Sequence, residues 1–509
     1  MNKIRNFRNL VLFSLVAFTF SCQDLKENPA GVLAADSFFK TTADLDAAVT
    51  STYRRLAQDS WGGLANTNGW TVMFGGDDIC CERILELYQY ESFTVSSTNT
   101  RMKASSWNIP YGCIFDANSV INNWERVSGD ETFIKNRVAE AYFLRAWSYF
   151  WLVRVFGDVP MPLTIEVDLE IPLTSTADVY KLIVSDLEFA IANLPSQQSS
   201  FVGRPCQWTA KALLAQVYLT MAGWPTNDTG KYALAAKEAK DVIDSKQYML
   251  LDDFKDLWLD SNDNNAEIVW SIQFCSMIDC GLPVRCTFIG LNAQPDEEGG
   301  WDQFYAENGF YDRYPDNYRK ECTFLTEFFD RVFWEQSGRT ETRYINYKNA
   351  KNPHPFYKKY VDGYCPWLET WRNDSDHMGG RDLNYLRYAE VLLIYAEAQC
   401  MADGNPNAMA YNCVNQVRKR ANKGVAWDLA PGLDKTAFRD AIIDERGWEF
   451  AGEYVRWFDL VRTEKVGIMN TADKKGNRDP LPLSDPSNKA NWFSPIPSTE
   501  VELNANLKK

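Results

Sequence analysis

Histidine is nearly missing from this chain, with only His354 and His377 in 509 residues. So small a supply excludes a His-rich metal centre, and the expectation is that the protein holds no metal. An excess of positive charge is missing too, because 53 Lys and Arg stand against 68 Asp and Glu, for a net charge of −15. Binding a phosphate backbone needs the opposite balance, so nucleic acid is not an expected partner. The sequence has no Gly-x-Ser-x-Gly elbow, no Walker loop, no Gly-x-Gly-x-x-Gly and no His-Glu-x-x-His. Serine-hydrolase, nucleotide and zinc-protease chemistries therefore lose their usual signatures. None of the 12 cysteines forms a Cys-x-x-Cys pair, which removes zinc-ribbon and thioredoxin-like readings. Disulfides and buried free thiols both stay open for them. Long apolar runs are also lacking: Leu10–Phe20 has eleven residues, about half of what a ~30 Å hydrocarbon core requires.

What is present begins with that short run. Lys3, Arg5 and Arg8 precede it and Ser21-Cys22 follows it, which is the layout of a secretory signal peptide over residues 1–21. The junction resembles the lipobox of bacterial lipoproteins, with Thr19 where leucine is usual. The resemblance implies acylation of Cys22, and acyl chains at ~0.8 kcal/mol per methylene anchor a protein without a spanning helix. The alternative is cleavage elsewhere, with Cys22 incidental. Gln23-Asp-Leu-Lys-Glu27 resembles an acidic export signal that places lipoproteins on the outer face of the outer membrane. The expected location is the outer membrane, lipid-anchored and facing the cell exterior, with a periplasmic orientation still open.

Beyond the tether the pattern is helical. Val138, Ala141, Arg145, Tyr149, Leu152 and Phe156 recur at spacings of three and four, as do Tyr180, Ile183, Leu187, Ala190 and Leu194, stopped by Pro195. Further helical stripes run over Thr209–Met221, Lys231–Asp244, Asn384–Met401, Ala408–Ala421 and Lys435–Gly452. Trp107, Tyr111, Ile114 and Asn118 have the same spacing and are assigned to a scaffold helix. The fold class expected is mainly α, with tetratricopeptide-like helical hairpins over about 36–250 and 381–465 in a single body, 22–509. The stretch of about 250–380, rich in Asp, Asn, Gly, Pro and aromatics, reads as an irregular loop-rich insertion with one strand-like run, Glu267–Phe274.

Six blocks carry a family resemblance. They are Ala139–Ala146 running into Val153–Pro160, Val179-Tyr180 with Asp186-Leu187, Asn265–Trp270, Tyr385–Ala398, Asp444–Phe450 with Arg456–Arg462, and Phe493–Pro497. In this order, after a lipobox, the chain resembles the SusD/RagB family of outer-membrane nutrient-binding lipoproteins over nearly its whole mature length. The resemblance implies a SusD-like helical fold, no catalysis, and a lid on a SusC-like TonB-dependent transporter that receives oligosaccharides. In the RagB branch the cargo is peptide.

Glu445, Glu449 and Glu453, at i, i+4 and i+8, lie on one stripe with Arg446, Arg456, Asp459 and Arg462 nearby. A glycoside hydrolase needs two carboxyls facing each other across a cleft, so a single stripe rich in arginine reads as a structural ion-pair network. Arg145, Arg154, Arg387 and Glu390 are expected to make structural pairs as well. Asp260–Asn264 looks faintly like a calcium loop, but Asn265 and Ser271 stand where glycine and glutamate are needed. It reads as a polar turn, and no cofactor is expected, with calcium the alternative.

The 18 Trp, 24 Tyr and 29 Phe point toward binding. Sugar rings lay C–H faces on aromatic planes, and their hydroxyls need donors and acceptors. Two regions combine both: Trp61 through Trp70 to Asp77, Asp78 and Arg83, and the insertion with Trp301, Phe304, Tyr305, Tyr311, Trp334, Trp367 and Trp371. Family members often carry ligand-contacting Asp and Arg in the first loop, which the resemblance maps to Asp78 and Arg83. Where relatives commonly hold a stacking ring before Trp107, this chain offers Tyr90 and Phe93 and no tryptophan. The expected ligand contacts are Trp70, Asp77, Asp78, Arg83, Phe93, Trp301, Tyr305, Trp334, Trp367 and Trp371. Peptide capture by the same lid, a helical glycoside hydrolase, and a scaffold that binds only proteins are the alternatives.

Overall fold

The computed structural model describes residues 38–57, 69, 71–81, 85–197, 203–274, 302–338, 340–360, 382–475, 479 and 481–508. Cys22 and the signal peptide lie outside the described residues.

Local sequence sets most helix starts. Helix α1 (Thr42–Leu56) opens on a capping box in which the Thr41 hydroxyl accepts from Asp44 N and the Asp44 carboxylate accepts from Thr41 N. Helices α2 (Leu85–Glu91) and α3 (Ile109–Asn123) follow. Asp130 caps α4 (Glu131–Phe156), and Ser175 caps α5 (Thr176–Asn193), which stops just before Pro195. Then come α6 (Gln207–Ala222) and α7 (Lys231–Ser245), and after the insertion α8 (Tyr388–Asp403), α9 (Ala408–Ala421), α10 (Lys435–Glu449) and the short α11 (Arg456–Arg462).

Each long helix packs on the next. Helix α3 lies on α4, α4 on α5, α5 on α6 and α6 on α7, and α7 then packs on α8, which packs on α9 and α10. The chain thus leaves the array after Ser245 and rejoins it at Tyr388 beside the helix it left. This is the helical-hairpin architecture read from the sequence. From Val138 to Phe156, α4 is buried at nearly every position except Tyr142, because helices cover both its sides.

The structure differs from the sequence reading at the return. Asn384–Arg387 is not the first turn of a helix: Leu383–Arg387 is strand β4, antiparallel to β2 (Ile268–Ile272) inside the expected run Glu267–Phe274. The apolar stripe runs through the junction, but the backbone groups of those residues are taken up by β2. Within the insertion, β3 (Phe304–Ala306) pairs with β1 (Ile79–Cys81), and two further short ribbons join Phe324–Leu325 to Phe356–Tyr357 and Glu327–Phe329 to Tyr344–Asn346.

Where β2, β4, α9 and α10 meet, charge is buried. Arg387 is fully buried and donates to Glu267, Glu449 and Glu453 at 2.8–3.0 Å. Arg420 reaches Glu267 and Glu449, Arg319 reaches Glu445 and Glu449, and Arg418 reaches Glu445. Arg446 carries the pairing on to Glu390 and Asp459, and Arg462 to Asp459 and Glu397. The glutamate stripe is therefore an ion-pair network, as read from its spacing. Arg145 pairs with Asp186 and ties α4 to α5. Arg154 departs from the expectation: its guanidinium lies between the Phe150 and Phe458 rings and donates to the Tyr385 hydroxyl at 2.7 Å.

Burial opposes the charge on Glu449, yet Arg420, Arg387 and Arg319 outweigh it and bring its carboxyl down to about 2. Glu449→Gln strands buried guanidinium charge, and is expected to cost about 3–5 kcal/mol. Lys181→Ala, which breaks the exposed pair with Asp178, should cost under about 1 kcal/mol. Urea unfolding of both variants checks the contrast, and equal costs would refute it.

Candidate functional site

The two regions singled out by sequence meet. In the β1–β3 ribbon Cys81 stands opposite Phe304 and Ile79 opposite Ala306. The chain enters Arg83 two residues after Cys81 and leaves Trp301 three residues before Phe304. Arg83 and Trp301 themselves, with Trp70, Trp367 and Trp371, lie outside the described residues.

Asp77 and Asp78 are interior groups, only 1% and 2% exposed. Asp77 accepts from Arg456 Nε and Nη2 at 2.6 and 3.0 Å and from Arg313 Nη2 at 3.0 Å. Burial raises its pKa, but the two arginines prevail and hold the carboxyl below its usual range. Asp78 Oδ2 accepts from Gly452 N at 2.9 Å, and its carbonyl accepts from the Tyr357 hydroxyl and from Glu307 N. Gly452 has φ +71°, and a Cβ there would sit 2.7 Å from the Tyr357 ring, so only glycine brings this backbone to Asp78. Burial, and then the charge of Asp77, push Asp78 up to about 7.

The structure thus places both expected contact residues in the interior. Asp77 has both carboxylate oxygens taken by arginines, and Asp78 gives Oδ2 to Gly452 N, so the pair ties the first loop to α11 and its approach. Phe93 is also interior, with φ +57°, beside Trp457 in a small apolar cleft completed by Trp492 and Phe493. Tyr305 is 5% exposed, stacked on His354, and donates its hydroxyl to Cys81 O. Trp107 packs between Tyr111 and Phe156, in the scaffold as expected.

Trp334 is different. It is half-buried on the short helix Arg331–Gln336, with its ring 5.8 Å from Phe329. Tyr344, opposite Phe329 in the neighbouring ribbon and 56% exposed, flanks the same phenylalanine. Sequence reasoning missed Tyr344, because only cross-strand register brings it to Trp334. This ribbon shares a small core, Cys80, Tyr305, Phe328, Tyr347 and Phe356, with the β1–β3 ribbon. The Asp260–Asn264 segment is a turn leading to β2, with Asn264 Nδ2 donating to Asp382 and Gln273. Burial there, with Asp263 adding to it, raises Asp382 to about 7.

A carboxyl raised on folding stabilises the fold while it is protonated; that contribution is full below about pH 4 and is lost as the pH climbs through about 7. Asp78 should thus cost the wild type at most about 4 kcal/mol between pH 4 and 8. In Asp78→Asn, whose amide oxygen can still accept from Gly452, that loss should vanish, leaving the slope due to the other carboxyls that burial raises, Asp382 and Glu307 among them. Urea midpoints measured from pH 4 to 8 test this, and a pH-independent difference between the two proteins would contradict it.

Comparison with known proteins agrees with this architecture. The sequence model described as "SusD family" matches residues 304–509, and the one described as "Starch-binding associating with outer membrane" matches 34–219. SusD-like protein P2 of Formosa agariphila is 32% identical, over 96% of this chain and 95% of its own. A SusD homolog from Bacteroides thetaiotaomicron superposes with a TM-score of 0.77 at 22% identity, covering 93% of this chain and 97% of that one. Surface glycan-binding protein A from the same organism, solved in complex with laminarihexaose, superposes with a TM-score of 0.74 at 22% identity, over 92% and 99% of the two chains. Helical array, insertion and sequence likeness along the whole length place this chain in the SusD/RagB family.

Proposed function

We propose that the protein binds oligosaccharides without turning them over, at the aromatic surface built where the β1–β3 ribbon and the Trp334–Tyr344 ribbon share a core. The observation that carries this reading is the antiparallel pairing of β1 with β3, which joins the two regions singled out by sequence over a core shared with the ribbon that bears Tyr344. Rings and polar groups converging there match what a sugar presents, namely C–H faces and hydroxyls. The laminarihexaose complex of a structural neighbour supports a glycan over a peptide.

Non-catalytic binding is supported by the state of the acidic stripe. Glu445 and Glu449, and Glu453 beside them, are neutralised by buried arginines and lysine, and no pair faces a cleft. Among the described residues no helix is long and apolar enough to cross a membrane. The lipobox-like Cys22 would then supply the attachment to the outer membrane, facing outward, and the cargo passes to a SusC-like TonB-dependent transporter. Such binding calls on no resident cofactor. Trp70, Arg83, Trp367 and Trp371 belong to the same proposed contact set as Trp301 and Trp334.

Each stacking ring contributes about 1 kcal/mol beyond area burial, which is roughly fivefold in affinity. Affinity electrophoresis of the mature protein on laminarin and starch, with a glycan array for other linkages, should find at least one retained polysaccharide. Trp301→Ala and Trp334→Ala should each weaken that retention roughly fivefold. Retention of peptides and of no glycan, or hydrolysis of the glycan, would overturn the proposal, and unchanged binding in both variants would put the site elsewhere.

A further inference from the structure

Around β1 lies a cluster of buried side chains that the proposed glycan binding does not use. Cys80 lies on β1 opposite Tyr305, and its thiol donates to Glu91 Oε1 at 3.3 Å. His354 stacks flat on Tyr305 and its Nε2 lies 2.9 Å from Asp479 Oδ1. The Cys80 sulfur, a His354 ring nitrogen and an Asp479 oxygen all fall within 4.8 Å of one another, and so do the same sulfur and oxygens of Glu91 and Glu307. Every member is nine-tenths buried or more: Cys80 is 2% exposed, Glu91 3%, Glu307 0%, Asp479 6% and His354 9%.

The pocket is rich in acid. Three carboxylates stand together, and among the described residues Lys475, paired with Glu307, is the one lysine or arginine bound to them. Buried charge of one sign is costly until a counter-ion joins it. Polar atoms are left over as well: Glu307 Oε2 and His354 Nδ1 are buried with no hydrogen-bond partner. The donor set is mixed, with one sulfur, one imidazole and carboxylate oxygens. Hard cations such as calcium and magnesium take oxygen alone, whereas thiolate with imidazole suits zinc.

We propose that this cluster is a binding site for one zinc ion, with Cys80, His354 and Asp479 as ligands and a water in the fourth position. Tetrahedral zinc with bonds of about 2.0–2.3 Å sets its ligand atoms roughly 3.3–3.8 Å apart. The three ligand atoms lie within 4.8 Å of one another, with the His354–Asp479 pair at 2.9 Å, so small side-chain shifts bring them to that spacing. The site also has outer support: Asn308 Nδ2 and Gly309 N donate to the two oxygens of Asp479, and the Tyr305 ring fixes the plane of His354. Binding converts the Cys80 thiol to a thiolate and releases its proton to solvent. The metal would pin the first loop, the insertion and the segment before Leu481 at one point.

The mature protein, stripped with chelator and dialysed, should bind one Zn2+ per chain by calorimetry, with its unfolding temperature raised. Co2+ in its place should give the near-ultraviolet sulfur-to-cobalt absorption band that only a thiolate ligand produces. Cys80→Ser and His354→Gln should lower zinc affinity by more than about 100-fold, beyond the loss of an outer-shell partner. Cys413→Ser, which removes a buried thiol on α9, should leave affinity unchanged. Failure of the wild type to bind zinc stoichiometrically or to give the cobalt band would overturn the site even if a variant failed to fold. Equal loss in Cys413→Ser, or no loss in a folded Cys80→Ser, would do the same.

Discussion

The arginine–glutamate cluster around Glu449 is the constraint on which the rest of the molecule depends. The last five residues of α10, Glu445–Glu449, hold two glutamates that accept from arginines at positions 319, 387, 418 and 420. Those arginines come from a short helix of the insertion, from β4 and from α9. Taking several charges out of water is unfavourable unless each finds its partner. A shift of any one segment would leave a buried charge unpaired, so the cluster admits a single register for the insertion on the helical array. Its role is to specify the arrangement; apolar burial by helices such as α4 supplies the driving force.

That register has consequences for the binding surface. Once the insertion is seated, β3 can pair with β1, and Arg456 can reach Asp77 across the whole length of the sequence. The carboxylates that looked most available for a ligand or for catalysis are the ones consumed in this way. What is left for recognition is ring surface on the ribbons, such as Trp334 and Tyr344. A body rigidified by buried ion pairs suits the proposed binding by stacking, in which a few rings hold a cargo with modest strength.

Much of the fold could be read before the structure, and for an identifiable reason. Helical periodicity and caps are local, so Ala408–Ala421 and the helix after Ser175 appear where spacing and capping residues put them. The charged stripe was legible too, because i, i+4 spacing on a helix fixes a common face. Its failures share a cause. The strand at Leu383–Arg387 sits inside an apolar stripe with helical spacing, and only the presence of β2 alongside makes it extended. Asp77 and Asp78 look like surface acids in a glycine-containing loop until Arg456 and Gly452 arrive from the far end of the chain.

By itself the sequence determined the class of the protein: an exported-looking acidic chain, mainly helical, of the SusD/RagB family, without the signatures of common catalytic sites. These follow from composition, short motifs and local periodicity, which do not depend on distant partners. Tertiary structure alone decided which acids are buried, that Tyr344 joins Trp334, and that Cys80, His354 and Asp479 come together. The acids and the Cys80 cluster depend on segments a hundred residues or more apart meeting in one register, and the Tyr344–Trp334 neighbourhood on a cross-strand pairing through Phe329.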